Sequence, residues 1–163
     1  MMSDRHFQGN GIRLRAPEPE DLEVMFRFEN ATDVWAMSNT TGPDLFADRQ
    51  LRLMIENGNR QVVGIVDLCS FDPLHNRAEV GIMVDKSCRR QGIGRNALAL
   101  LEEHCFRYLG IHQLFAYIAV ENLPSRRLFA ACGYKESAVL KEWAHTFGGG
   151  YTDVLVVQKL NLS

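Results

Sequence analysis

No apolar run in these 163 residues reaches the length needed to cross a bilayer, which argues against a helical membrane span and a membrane partner. The opening stretch, residues 1–11, is polar and lacks the apolar core of a secretory signal, so a cytoplasmic location is expected. Charge of one sign is scarce. Eighteen Lys and Arg face twenty Asp and Glu, and the net charge of −2 leaves no basic surface of the kind that general nucleic-acid binding requires. The slight acidic balance is compatible with a cationic substrate such as an amine. Cysteine is sparse and scattered: Cys69, Cys88, Cys105 and Cys132 form no Cys-x-x-Cys pair, so reduced thiols are expected rather than disulfides or a zinc site, and no metal is expected. Internal repeats, low-complexity segments and interdomain linkers are also missing. The expectation is one domain over residues 1–163, long enough to bury a core.

What is present centres on Arg89-Arg90-Gln91-Gly92-Ile93-Gly94-Arg95. An apolar, strand-like run at 80–84 precedes it and a helix-like run at 96–108 follows it. A strand that turns through glycines into a helix start aims several backbone N–H groups at one spot, and the helix dipole adds partial positive charge there, so the spot suits phosphate. A Cβ at Gly92 or Gly94 would crowd an approaching anion. The flanking arginines add attraction. The loop has no third glycine for a dinucleotide fingerprint and no Gly-Lys-Ser/Thr for a Walker loop.

Along the chain, residues 12–16 alternate as a first strand, and 20–30 carry apolar residues at helical spacing after an acidic start. Residues 51–55 and 61–71 read as strands joined by the Asn57-Gly58-Asn59 turn. Residues 78–85 form the strand that feeds the phosphate loop. The helix at 96–108 stops at Gly110, 112–120 is the next strand, and 122–132 is a helix with Pro124 in its first turn and Gly133 at its end. A final hairpin is expected from 141–146 and 153–160 across Gly148-Gly149-Gly150. This order implies an α/β (α+β) fold with a mixed sheet.

The phosphate loop matches Arg/Gln-x-x-Gly-x-Gly/Ala, the pyrophosphate loop of the GNAT superfamily of N-acetyltransferases, with Arg89, Gly92 and Gly94 in the key places. Residues 122–134 (NLPSRRLFAACGY) resemble that family's Asn-x-x-Ala/Ser-x-x-x-Tyr/Phe-x-x-x-Gly-Phe/Tyr pattern. The segments IRLRAPEPEDL, VGIVDLCSFDPLHNRAEVGIMV, IHQLFA and FGGGYTDV resemble a subgroup, the spermidine N-acetyltransferases and ribosomal-protein N-terminal acetyltransferases. The likeness covers nearly the whole chain.

The resemblance implies the GNAT fold: a mixed central sheet splayed between its fourth and fifth strands, with helices on both faces. It implies transfer of an acetyl group from acetyl-CoA, as co-substrate, to an amine acceptor. The backbone of Ile82, Met83 and Val84 would pair with the pantetheine arm. The loop Arg89, Arg90, Gln91, Gly92, Ile93, Gly94 and Arg95 would hold the pyrophosphate, and Asn122 and Phe129 would line the arm. Glu79 is the candidate base, by likeness to a glutamate of the spermidine enzymes; an ion-paired strand residue is the other reading. Tyr117, on the neighbouring strand, could order a water. Glu29 and Asp33 could attract a cationic substrate or be plain surface acids.

Two departures stand out. Many relatives carry a tyrosine at Phe129 that protonates the departing thiolate; phenylalanine has no proton to give. Tyr134 falls at the pattern's apolar position and reads as core, and Ser125 is a weak substitute donor. Relatives also carry a second helix for which residues 40–50 are too short, so that either the element is lost or its residues are absent from the chain. These departures keep open a second reading, a CoA-binding or regulatory module without catalysis, and a third, a different acyl donor such as succinyl-CoA. A covalent route through Cys88 or Cys132 has no identifiable histidine partner. Exposed sheet edges admit a homodimer.

Overall fold

Alternating strands and amphipathic helices order themselves around one sheet in the computed structural model, which describes residues 7–29 and 50–162. The strands are β1 (Gln8–Gly9), β2 (Ile12–Arg15), β3 (Leu51–Asn57), β4 (Val62–Asp72), β5 (Arg77–Val84), β6 (Gln113–Ala119), β7 (Lys135–His145) and β8 (Tyr151–Leu160). The helices are α1 (Leu22–Glu29), α2 (Ile93–Glu103) and α3 (Leu123–Ala131). The sheet runs β1-β2-β3-β4-β5-β6-β8-β7. Every neighbouring pair is antiparallel except β5 and β6.

That parallel pair is short. Its register holds Arg77 to Gln113, Ala78 to Leu114 and Glu79 to Phe115, and then the strands part. Both continue, to Val84 and Ala119, without pairing each other. This is the splay expected between the fourth and fifth strands. It falls between β5 and β6 because β1 adds a strand in front. Asn10-Gly11, with φ of 53° and 81°, forms the tight turn that folds β1 onto β2, an Asn-Gly hairpin signal in the sequence.

Side-chain alternation gives the sheet two faces. Ala78, Val80 and Ile82 of β5, Leu114, Ala116 and Ile118 of β6, and Leu155 and Val157 of β8 join Ala97, Leu98 and Leu101 of α2 and Phe129 of α3 in the main core. On the other face Met54, Ile65 and Met83 close on Phe28 of α1, with Val24 and Met25 beside them. Helices therefore cover both faces.

Two boundaries differ from expectation. Helix α2 starts at Ile93, since the left-handed Gly92 turns the chain straight into it; it ends in a π-helical turn, His104–Tyr108. Strand β7 begins at Lys135, well before residue 141. Register shifts at 136–138 and 140–144 break its period of two, and its residues are almost all exposed, so alternation marks only its end. The expected shortening at residues 40–50 lies, apart from Gln50, outside the described residues.

Candidate active site

The phosphate loop grows directly out of the parted strand. After Val84, the Asp85 carboxylate accepts the Ser87 backbone N–H at 3.0 Å and its hydroxyl at 2.9 Å, pinning a 3-10 turn over Lys86–Cys88. Those two donors, with the nearby Arg27, hold Asp85 below the usual carboxylate range. Arg89 donates from Nε to the Val84 carbonyl at 3.2 Å. Arg90 (φ 67°) and Gly92 (φ 77°) are both left-handed, and Gly92 caps α2, accepting the Asn96 N–H at 3.0 Å. The N–H groups of Ile93, Gly94 and Arg95 precede the first intrahelical bond and so have no helical acceptor. A Cβ on Gly92 would meet only Asn96 Nδ2, at 3.8 Å, so the space in front of this nest is open. Arg89, Arg90, Gln91 and Arg95 are exposed around it. The donor set suits a diphosphate: main-chain amides at a helix start, ringed by guanidinium groups.

The two glycines turn out to differ. A Cβ on Gly94 would come within 3.1 Å of Leu128 on α3, so Gly94 allows two helices to approach, a packing reason for glycine there that the sequence does not announce. The Ile93 side chain lies in the main core, so it is the backbone of Ile93 that is available to a ligand. Ile82 and Met83 are buried on opposite faces of β5 and Val84 is half-buried, while their backbone edge toward β6 carries no ladder.

Across the gap, Asn122 caps α3, its Oδ1 accepting the Ser125 N–H at 3.2 Å. Ser125 is half-buried in the first turn. Phe129, expected to line the cofactor arm, is 1% exposed and packs edge-on against Tyr134, ring centroids 4.9 Å apart. Its side chain therefore belongs to the core. Tyr134 is buried as expected, and burial, with Glu102 beside it, pushes its hydroxyl well above the ordinary phenol range.

Glu79 occupies the last paired rung before the strands part. It shares the α1 face with Met83, is half-buried, and its carboxyl is pushed up by desolvation, partly offset by the Cys69 thiol across the β4–β5 ladder. Phe115 stands beside it on β6, and Tyr117, two residues on, meets Phe115 edge-on at 5.7 Å and is 39% exposed. The structure thus brings Glu79 and Tyr117 to one mouth of the splay, on the α1 face. Among the described residues the buried acids of that face are held by arginine. Asp67 takes Arg52 in two bonds of 2.8 and 2.9 Å, Glu56 binds Arg13 and Arg15, and Asp21 binds Arg15. The sequence reading did not anticipate Cys69, Phe115 or the Arg52–Asp67 pair, because cross-strand register is invisible until β4 and β5 are aligned. Asp33 and the Glu29 side chain lie outside the described residues. Among the described residues no cluster of metal-ligating side chains is found, and no helix is long and apolar enough to cross a membrane.

The comparisons agree with this architecture. The acetyltransferase (GNAT) domain profile matches residues 12–135. The chain is 23% identical to the spermidine N(1)-acetyltransferase of Vibrio cholerae, over 88% of this chain and 89% of that protein. It is 30% identical to YwnH of Bacillus subtilis, over 86% of this chain and 94% of YwnH. Among solved structures, the Vibrio cholerae spermidine N-acetyltransferase in complex with CoA and spermine superimposes with a TM-score of 0.81, covering 94% of this chain and 97% of that one. A dodecameric form of that enzyme gives 0.80 over 94% and 95%. The chain belongs to the GNAT acetyltransferase family and is an acetyl-CoA-dependent N-acetyltransferase.

Proposed function

We propose that the enzyme transfers the acetyl group of acetyl-CoA to a primary amine by direct attack in a ternary complex, with no acyl-enzyme. The acceptor is a polyamine, a protein N-terminus or a small amine; the spermidine-acetylating relative makes polyamines the first class to test. The observation that carries the reading is Glu79 on the last rung before the splay, with its carboxyl raised above the usual range by burial.

A typical alkylammonium has a pKa of about 10, so at neutral pH the acceptor must lose a proton before it attacks. Glu79, directly or through a water ordered by Tyr117, takes that proton. The amides of Gly92 to Arg95 and the surrounding arginines bind the pyrophosphate, and the unpaired edge of Ile82 to Val84 receives the pantetheine arm as an added strand. A backbone N–H on that edge polarises the thioester carbonyl. Holding amine and thioester in line supplies much of the rate, roughly 7–11 kcal/mol in favourable systems. Asn122 steadies the arm from the far side of the gap. Phe129 supplies no proton, so the thiolate, with a pKa of about 8.5, leaves with water or the Ser125 hydroxyl as donor.

The second reading, a CoA-binding module without turnover, draws its support from the buried Phe129. Release of free CoA thiol in the steady state, measured over a panel of polyamines, peptides and small amines, separates the two. Turnover on any amine supports the transferase; acetyl-CoA binding with no turnover on all of them supports the module. We further propose a cytoplasmic enzyme with its four cysteines reduced. Self-association, at least into a homodimer, would use the exposed edge strand β7, which carries Val139 and Trp143. Light scattering on the eluted protein tests that.

A further inference from the structure

Glu79 is flanked on both sides, and one flank has no part in the mechanism above. In the β4–β5 ladder Glu79 lies directly across from Cys69. The register then breaks, resuming only at Asp72 opposite Arg77, and Ser70 takes a left-handed φ of 51° within that bulge. Bulges of this kind re-aim a neighbouring side chain and recur beside active sites. On the opposite side Glu79 meets Phe115, where the β5–β6 ladder ends. A carboxyl at this position has an apolar ring on one side and a thiol on the other, with the gap beyond.

We infer that Cys69 is a positioning residue for Glu79: its thiol donates a hydrogen bond to the carboxylate across the β4–β5 ladder and fixes which oxygen faces the amine. This rests on the reading of Glu79 as the base. Cys69 is itself no nucleophile, since burial together with the Glu79 and Asp67 charges pushes its thiol up to about 12. Among the described strand residues the groups facing Glu79 can be named. From β4 come Cys69 and, diagonally, Asp67, which is neutralised by Arg52 of β3; from β6 come Phe115 and Tyr117. Of the two residues directly opposite Glu79 on its neighbouring strands, Cys69 and Phe115, Cys69 is the one that carries a proton to donate.

A donor to the charged form favours it, so deleting the donor raises the carboxyl further and moves the acid limb of kcat/KM to higher pH. Cys69→Ala is expected to shift that limb by roughly half a pH unit, read as an about threefold loss on the acid side and none on the alkaline plateau. Cys69→Ser, whose hydroxyl donates to the same oxygen, restores the limb. Peptide-resolved alkylation by iodoacetamide supplies a readout independent of turnover. Glu79→Gln removes the charge that suppresses the thiol, so Cys69 alkylates faster in that variant while Cys88 and Cys132 keep their rates. If Glu79→Gln leaves the pH profile as it was, the base reading fails and takes this inference with it. If Glu79→Gln flattens the limb but Cys69→Ala leaves it in place, or Cys69 alkylates no faster without the Glu79 charge, the base reading stands and the positioning role is overturned.

Discussion

On the α2–α3 face, β5, β6 and β8 press Val80, Ile82, Leu114, Ile118 and Leu155 against Ala97, Leu98 and Leu101 in an apolar layer, whose polar groups gather at one end where Lys159 Nζ reaches both Glu102 and the Cys132 carbonyl at 2.6 Å. The α1 face of the same strands is laced with ions: Arg52 with Asp67, Arg15 with Glu56 and Asp21, Arg13 with Glu56, around a small plug of Met54, Ile65, Met83 and Phe28. One period of two in the sequence produces both. The apolar face can dispense with partners and simply excludes water, which gives α2 a rigid seat and aims its N-terminus at a fixed point beside the splay. Among the described residues the ionic face satisfies each buried acid with a guanidinium but gives none to Glu79, which is half-buried with the Cys69 thiol across from it. A proton acceptor needs that incomplete satisfaction: a carboxylate locked by arginine would be too acidic to take a proton from an amine.

The largest expected effect tests whether the ionic face is held together by its charges or merely tolerates them. Arg52→Ala takes from Asp67, 2% exposed, the guanidinium that binds it in two hydrogen bonds, and is expected to cost about 3–5 kcal/mol in urea unfolding. Replacing both at once, Arg52→Met with Asp67→Leu, should recover most of that loss, because the pair itself repays little more than its own desolvation. A double variant as unstable as the single one would mean that the face depends on the ion pair as such.

Next in size is the nest at α2. Gly92→Glu puts a side chain and a negative charge into the open space before three unbonded amides, at a φ of 77° that disfavours any Cβ. Affinity for acetyl-CoA, measured by calorimetry, is expected to fall by at least about a hundredfold, or roughly 2.7 kcal/mol, while circular dichroism stays that of a folded chain. Unchanged affinity would remove the pyrophosphate assignment. Gly94→Ala sharpens the contrast between the two glycines: its methyl meets Leu128, so it should lower Tm rather than act first on affinity.

How far this could be read beforehand depends on the range of the interactions. Helix α3 is legible because Asn122, Pro124 and Gly133 mark its two ends locally, and the splay strand because its apolar run meets a glycine turn. The final hairpin is legible only at its glycine end, since the bulges of β7 cancel the alternation upstream. The loop's position is plain from residues 89–95, yet the division of labour between Gly92 and Gly94 depends on a helix that passes by at Leu128. Phe129 illustrates the same limit. Its place in the motif suggests the cofactor arm, but the turn of α3 that carries it faces the core, and only the packed sheet decides that. The ionic partners of the α1 face are cross-strand neighbours far apart in the chain, so no local pattern announces them.

The smallest effect bears on the sign of two carboxylates of that face. Arg15 and the Glu18 backbone N–H hold Asp21 below the usual range, whereas desolvation holds Glu79 above it. A depressed carboxyl adds stability above its unfolded pKa, about 3.9, and loses it as pH falls through the still lower folded value. A raised one does the reverse: the folded state binds its proton more tightly, so there is no cost below the unfolded pKa of about 4.3, and a cost grows as pH climbs through the folded value. At neutral pH Asp21→Asn is therefore expected to lower Tm and Glu79→Gln to leave it unchanged or raise it. In acid both differences should shrink, because protonated parents resemble their amides. Melting curves at two pH values suffice. Should Glu79→Gln destabilise the neutral enzyme as Asp21→Asn does, Glu79 is held by a charge after all; the asymmetry between the satisfied acids and the poised one then disappears, and with it the physical reason for choosing Glu79 as the base.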